Sequence, residues 1–423
     1  MSGAPPVLAV GIVALEFAAA VTGFVASTLL PVVAVELDAR GRLGLLIAGS
    51  TLGLFVALPL ASRVLGRLGP RRTLAAGMLA YLGGLALAAS ARAAWVFALG
   101  QFAGGLAGGL LAVFGISSAI RHLDERLRIR VVAASSAMWI VPALAGPAAT
   151  LGLAHLVGWR WTLLAPVPFV LFGRLLVVRA VRDDPAAEAA PRPLGRTLSV
   201  PLGAACVVLS AGWWPLAIAG TLITVAGMST ILPAGTARLW RGTPAALGAM
   251  VLFAVGYFGA DSLITVLLTS GFGMSLGRAA IVLSAAPLGW AVTSLLATRR
   301  TSAFPVIGLS LTAFGTAVLA VELALGGSFG VVLGAWTVAG IGVGLAYPGL
   351  YIRATTAGSS GFTAAELATA VITAECVGQL LGRVVGGTLS SAGTTGGLVV
   401  SYVVFALAVT AAAGAASRAS GVE

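Results

Sequence analysis

Residues 50–63 read STLGLFVALPLASR, and 236 positions further on, residues 286–299 read APLGWAVTSLLATR. Leu52, Gly53, Val56, Leu60, Ala61 and Arg63 return as Leu288, Gly289, Val292, Leu296, Ala297 and Arg299. Apolar sequences match by chance, so one alignment carries little weight. Two more follow in the same order, however. Gly105, Leu106 and Gly109 return within one residue of that offset as Gly340, Ile341 and Gly344, and Gly146 returns as Gly382. A repeat that keeps its order and ends on Arg at the same helix end describes one bundle duplicated in the same orientation. The two halves are then expected to be related by an axis along the membrane normal.

The surrounding composition says what solvent such a repeat inhabits. Of 423 residues, 59% are hydrophobic and 9% charged, with a mean hydropathy of +1.05. An ordinary soluble domain carries roughly a quarter charged residues. Apolar side chains on this scale face a bilayer, so the chain reads as a polytopic membrane protein. Apolar runs of crossing length fall at about 8–35, 43–64, 73–91, 95–120, 131–156 and 161–181, and again at about 246–271, 275–297, 303–324, 329–352, 365–390 and 395–417. Between the halves lie a Pro- and charge-rich linker and an apolar stretch at 198–232, divided at Gly212, Trp213, Trp214 and Pro215. The expected architecture is all-α, with two six-helix bundles and an inserted helix pair. That gives fourteen spans, or twelve with a re-entrant pair. The expected domains are an N-terminal bundle at 1–181, a cytoplasmic linker at 182–197, the inserted pair and its loop at 198–245, and a C-terminal bundle at 246–423.

The basic residues orient the chain. All 25 are Arg, and the net charge is +12. With both termini in the cytoplasm, nineteen fall in inner loops and tails and five outside, a strong positive-inside bias. A single crossing at 198–232 would invert everything beyond it and put Arg299 and Arg300 outside. No basic run is interleaved with aromatics, so nucleic acid is not an expected partner. Ala, Gly and Arg bias suggests a GC-rich bacterial source. The opening residues MSGAPP lack a charged n-region, so no removable signal peptide is expected. Cys206 and Cys376 lie in apolar stretches, and His122 and His155 are isolated. Neither a metal nor a cofactor is expected, and no catalytic cluster suggests an enzyme. Tryptophans near span ends, Trp95, Trp159, Trp161, Trp213, Trp214 and Trp240, read as an interfacial belt.

Four elements in order resemble the major facilitator superfamily. The loop from Ser62 to Arg72 carries Arg67, Gly69, Arg71 and Arg72 at the family's positions, with Gly66 where the family has an acid. Gln101-Phe102-Ala103-Gly104-Gly105 resembles the Arg-x-x-Gln-Gly element, with Gln101 at the Arg position. Gly146-Pro147 is similar to the Gly-Pro element of the family's antiporters, and Gly158-Trp159-Arg160-Trp161 resembles the drug/proton antiporter branches. Fourteen spans match one such branch. The resemblance implies alternating access about a central cavity lined by the first helix and its repeat. It also implies a conformational motif at Arg63, Arg67, Gly69, Arg71 and Arg72, echoed at Arg299, with Gly146 and Pro147 bending helix five.

The few ionisable residues within spans are Glu16, Asp261, Glu375 and Arg383. A carboxylate at mid-bilayer costs about 2.5–3.5 kcal/mol on insertion scales, so such groups face a bundle interior or water and handle protons or substrate. Glu16 and Asp261 begin corresponding helices, and Arg383 stands at the repeat position of Pro147, where it either receives an anionic group or neutralises Asp261. Neutral Gln101 leaves Glu16 or Glu375 to carry the proton step, or points to another energy source. The expected function is a monomeric secondary transporter in the cell membrane, exporting a small amphipathic or hydrophobic molecule against proton entry. An uncoupled channel or lipid-handling scaffold is the alternative.

Overall fold

The computed structural model describes residues 4–39, 43–180, 198–210, 213–297, 304–356, 361–390 and 395–419. Arg299 and the 182–197 linker lie outside these. Eleven helices among the described residues are long and apolar enough to cross a membrane, and the protein is a multi-pass membrane protein.

The first unit comprises Met1–Val131, Met138–Ile231 and Phe362–Thr369. Its helices are α1 (Ala4–Glu36), α2 (Leu43–Ala89), α3 (Ala94–His122), α4 (Glu125–Ala137) as far as Val131, α5 (Ile140–Val157), α6 (Trp159–Thr162) and α7 (Val167–Ala180). The 47 residues of α2 rise about 70 Å, twice the bilayer core. It divides at Gly69, whose φ of 73° lies where side-chain-bearing residues are strained. The two spans expected at 43–64 and 73–91 are therefore the two arms of one broken helix. Helix five is interrupted at Met138 and Trp139, between α4 and α5. Pro142 lies four residues on, and it offers no N–H to the Met138 carbonyl. The inserted pair, α8 (Ser199–Val208) and α9 (Trp214–Met228), falls within the residues of this first unit. The two helices rise about 15 and 22 Å against a hydrocarbon core of about 30 Å. Gly203 and Gly220 bring their backbones together.

The second unit comprises Val132–Ala137, Leu232–Gly361 and Ala370–Glu423. It carries α10 (Thr243–Gly271), α11 (Leu276–Leu296), α12 (Phe304–Leu325), α13 (Phe329–Ala354), α14 (Ala364–Ser390) from Ala370 onward, and α15 (Thr395–Ala419). α10 contains two π-helical stretches, Ala254–Phe258 and Leu267–Gly271. The start of α14 is fixed by a capping box. The Thr363 backbone N–H donates to Glu366 Oε2 at 2.9 Å, and the Glu366 N–H donates to Thr363 Oγ1 at 3.3 Å.

The sequence repeat reappears as equivalent contacts. A Cβ at Gly105 would overlap the Ser50 carbonyl, and one at Gly340 the Ala286 carbonyl, 236 residues from Ser50. Gly53 meets Phe102 and Leu106; its counterpart Gly289 meets Thr337 and Ile341. Gly109 meets Leu54 and Ala57; Gly344 meets Trp290 and Thr293. Lipid supplies no hydrophobic drive for helices to associate, so close backbone packing across glycines does that work in both units.

At one end of the first unit Glu36 closes α1 against the start of α6. Trp159 Nε1–H and Arg160 Nη1–H each donate to one Glu36 oxygen, and Arg160 Nη2–H donates to the Ala91 carbonyl at 3.3 Å. The Arg160 guanidinium also sits 4.4 Å from the Trp159 ring centroid. Trp159 is thus buried, whereas Trp95, Trp161, Trp213, Trp214 and Trp240 are each exposed. The hydrogen bond from Arg160 holds the Glu36 carboxyl below its ordinary value of 4.5. A depressed folded-state value means stability that is present above the ordinary carboxylate range and lost as pH falls below it. Both side chains are about 40% exposed, so the effect is below about 1 kcal/mol. Cooling the comparison to one measurement, the melting temperature should fall slightly more between pH 7 and pH 3 in the wild type than in Glu36→Gln; equal falls would remove the ion pair from the account.

Candidate functional site

A cavity of about 500 Å³ opens inside the first unit, among α1, both arms of α2, α3, Leu163 and Val170. Its walls are largely apolar, from Ile12, Leu15 and Leu30 to Phe97 and Leu111. The volume falls within the range of small-molecule sites, which are mostly apolar with a few placed polar groups. Those groups here are Glu16, Thr22, Ser50, Tyr81 and Gln101.

Each is positioned by local structure. Thr22 on α1 gives its hydroxyl proton to the Ala18 carbonyl at 2.7 Å, so the 2.7 Å contact with Tyr81 is a hydrogen bond that Tyr81 donates. This ties α1 to the second arm of α2 at the cavity wall. Glu16 lies six residues before Thr22, on the same helix. Among the described residues neither Glu16 nor Gln101 has a hydrogen-bond partner. The cavity therefore brings together two of the residues singled out from sequence. Thr22 and Tyr81 were missed, because their hydrogen bond joins residues 59 apart and neither type is unusual in an apolar helix.

The second unit holds the remaining three. Asp261 is exposed on the short regular stretch Gly259–Val266 between the two π-helical segments of α10. Behind it, Tyr402 Oη–H donates to the Ala260 carbonyl at 2.9 Å, which holds the buried side of the helix. Gly378 and Gly382 let α14 approach α10 at Val251, Ala254, Val255 and Gly259. Arg383 follows Gly382 on α14, and no salt bridge joins it to Asp261 among the described residues. Glu375, two turns earlier on α14, accepts a hydrogen bond from Tyr347 at 3.1 Å. Tyr347 in turn belongs to a ring cluster with Phe253 and Trp290, whose centroids lie 6.2 and 5.6 Å away. The Trp290 Nε1–H is buried without a partner among the described residues.

The basic motif falls at the break of α2. Arg67, Arg71 and Arg72 are exposed and Arg63 half-buried, on either side of Gly69. Gly146 on α5 faces Phe24 of α1, 3.3 Å from where a Cβ would stand. Pro147 follows it within the same helix. No group of three or more His, Cys, Asp or Glu able to hold a metal ion occurs among the described residues.

Two units of duplicated helix packing with a ligand-sized cavity among the helices are the frame of a membrane transporter. The sequence matches the family model of the Major Facilitator Superfamily over residues 12–356, and the chain belongs to that superfamily. It is 28% identical over 340 residues to a "Probable multidrug-efflux transporter" in two strains of Mycobacterium tuberculosis, an alignment covering 71% of this chain and 70% of the relative. Among solved structures it resembles the human organic anion transporter MFSD10, with a TM-score of 0.69 at 14% identity, covering 98% of both chains. It also resembles the E. coli fucose:proton symporter, with a TM-score of 0.66 at 16% identity, again covering 98% of both. At these identities the likeness concerns the fold.

Proposed function

We propose that this transporter exports small amphipathic or hydrophobic compounds by alternating access, driven by proton entry. The observation that carries the reading is the cavity of the first unit, an apolar chamber of about 500 Å³ whose lining, among the described residues, carries a single carboxyl group, Glu16. Its walls suit an apolar guest, and its carboxyl suits a group that takes up and releases a proton in step with that guest. Asp261 serves as a second coupling group, and Glu375 with Tyr347 as a third. Protonating such a carboxylate removes a charge, and so biases which conformation is favoured. The export direction draws on the multidrug-efflux relatives. Placement in the cell membrane with both termini in the cytoplasm draws on the inner excess of Arg.

The test is flux of ethidium in proteoliposomes under an imposed pH gradient. Wild-type protein should move the dye uphill while the gradient lasts and stop when it is collapsed, and Asp261→Asn should slow that movement. Flux indifferent to the gradient and unchanged in Asp261→Asn would return the function to an uncoupled channel.

A further inference from the structure

The glycines of α3 divide between two jobs. At Gly100, Gly105 and Gly109 an added Cβ would meet α2: Gly84 and Ala88, the Ser50 carbonyl, and Leu54 with Ala57, although Gly100 and Gly105 also border the cavity. At Gly104, Gly108 and Gly115 an added Cβ would meet nothing within 4 Å, and all three line the cavity, as does Gly23 on α1. Spacings of four and seven residues keep Gly104, Gly108 and Gly115 on one helical face.

The second unit carries larger side chains at the equivalent positions. The contacts that pair Gly105 with Gly340 and Gly109 with Gly344 fix the correspondence of α3 with α13. In that register Gln101, Gly104, Gly108 and Gly115 answer to Trp336, Ala339, Val343 and Leu350. All four of the latter are fully buried, and Trp336 stacks on Tyr257 of α10 at 5.6 Å. Where one half is filled by side chains, the other has an open floor.

We propose that Gly104 and Gly108 are the specificity-determining positions of the first-unit cavity, setting the bulk of the apolar body it admits. The proposal rests on the transporter reading above for the identity of the guest as substrate. The guest's charge follows from the opposite wall. Glu16 is the one carboxylate among the described lining residues, which include no basic side chain, and no protein cation or hydrogen bond answers it among the described residues. A carboxylate so enclosed is best answered by a cation carried on the guest. The class of ligand is therefore a monocation with a bulky apolar body.

The experiment measures equilibrium binding of tetraphenylphosphonium and of the slimmer methyltriphenylphosphonium to the full-length protein in nanodiscs. Gly104→Ala combined with Gly108→Val installs the second half's residues in the first. Gly108→Ala is the milder variant, which decides the matter if the double variant fails to fold. Gly83→Val is the control, since Gly83 is exposed, has nothing within 4 Å and lies outside the cavity. The double variant should lose affinity for tetraphenylphosphonium by at least about tenfold, or 1.4 kcal/mol, while binding the slimmer cation nearly as well as wild type. Gly108→Ala should shift the same ratio in the same direction, and Gly83→Val should leave it alone. The proposal is overturned if the wild type binds neither probe, if the variants bind both as wild type does, if they lose both equally, or if the control changes the ratio. Binding is read without any gradient. A protein that binds both cations with this pattern yet moves nothing under a pH gradient sinks the coupled-export reading and leaves the cavity assignment standing.

Discussion

Gly105→Ala is expected to lower the melting temperature of the detergent-solubilised protein sharply, whereas Gly104→Ala, one residue away, should leave it unchanged. The added methyl group at 105 would overlap the carbonyl of Ser50, and backbone cannot rotate aside as a side chain can. α2 and α3 would have to separate along a contact that Gly49, Gly53, Gly105 and Gly109 all keep close. Overpacking of this sort costs about 1–3 kcal/mol, and more where no neighbour can yield. At Gly104 the same methyl group enters open space. Gly340→Ala should repeat the damage in the second unit, because the Ala286 carbonyl stands where Ser50 does in the first. Equal melting of the 104 and 105 variants would refute the division of the α3 glycines into two faces.

Glu16→Gln is expected to reduce uphill, pH-driven transport to the level of empty vesicles, while leaving the fold and the cavity's shape intact. The amide matches the carboxyl in size but neither gains nor loses a proton in the physiological range. The side chain has no partner among the described residues, so no internal contact is broken by the exchange. Melting temperature should therefore hold, and movement of dye down its own gradient should continue if coupling alone has been removed. Retention of full pH-driven transport in Glu16→Gln would take this residue out of the mechanism and leave Asp261 and Glu375 to carry it.

The duplication was the most legible feature of the chain. Residues 50–63 and 286–299 share a pattern because the same face of the same helix must accept a partner's backbone in both halves, and small residues there leave a mark in one dimension. The apolar spans were legible for a related reason, since the bilayer core sets a minimum length. What sequence could not separate was Gly104 from Gly105. Both are glycines in one apolar helix, and only the neighbouring helices tell a packing contact from a cavity floor. Glu36 and Trp159 are 123 residues apart yet joined by a hydrogen bond, and nothing local to either announces the other. Glu16 could be nominated as an ionisable residue in an apolar span and Gln101 from its place in an element resembling the family's, but that they share a chamber is a property of the fold.

The two π-helical stretches of α10, at Ala254–Phe258 and Leu267–Gly271, have a consequence for anyone drawing that helix as a wheel. Hydrogen bonds that reach to the fifth residue rather than the fourth put more residues into each turn, so the rod winds less per residue there. A projection phased from Thr243 at 100° per residue loses its phase before it reaches Asp261. Side chains that such a diagram assigns to one azimuth point elsewhere, so the acid's outlook belongs to the irregular winding upstream of it as much as to its own place in the chain.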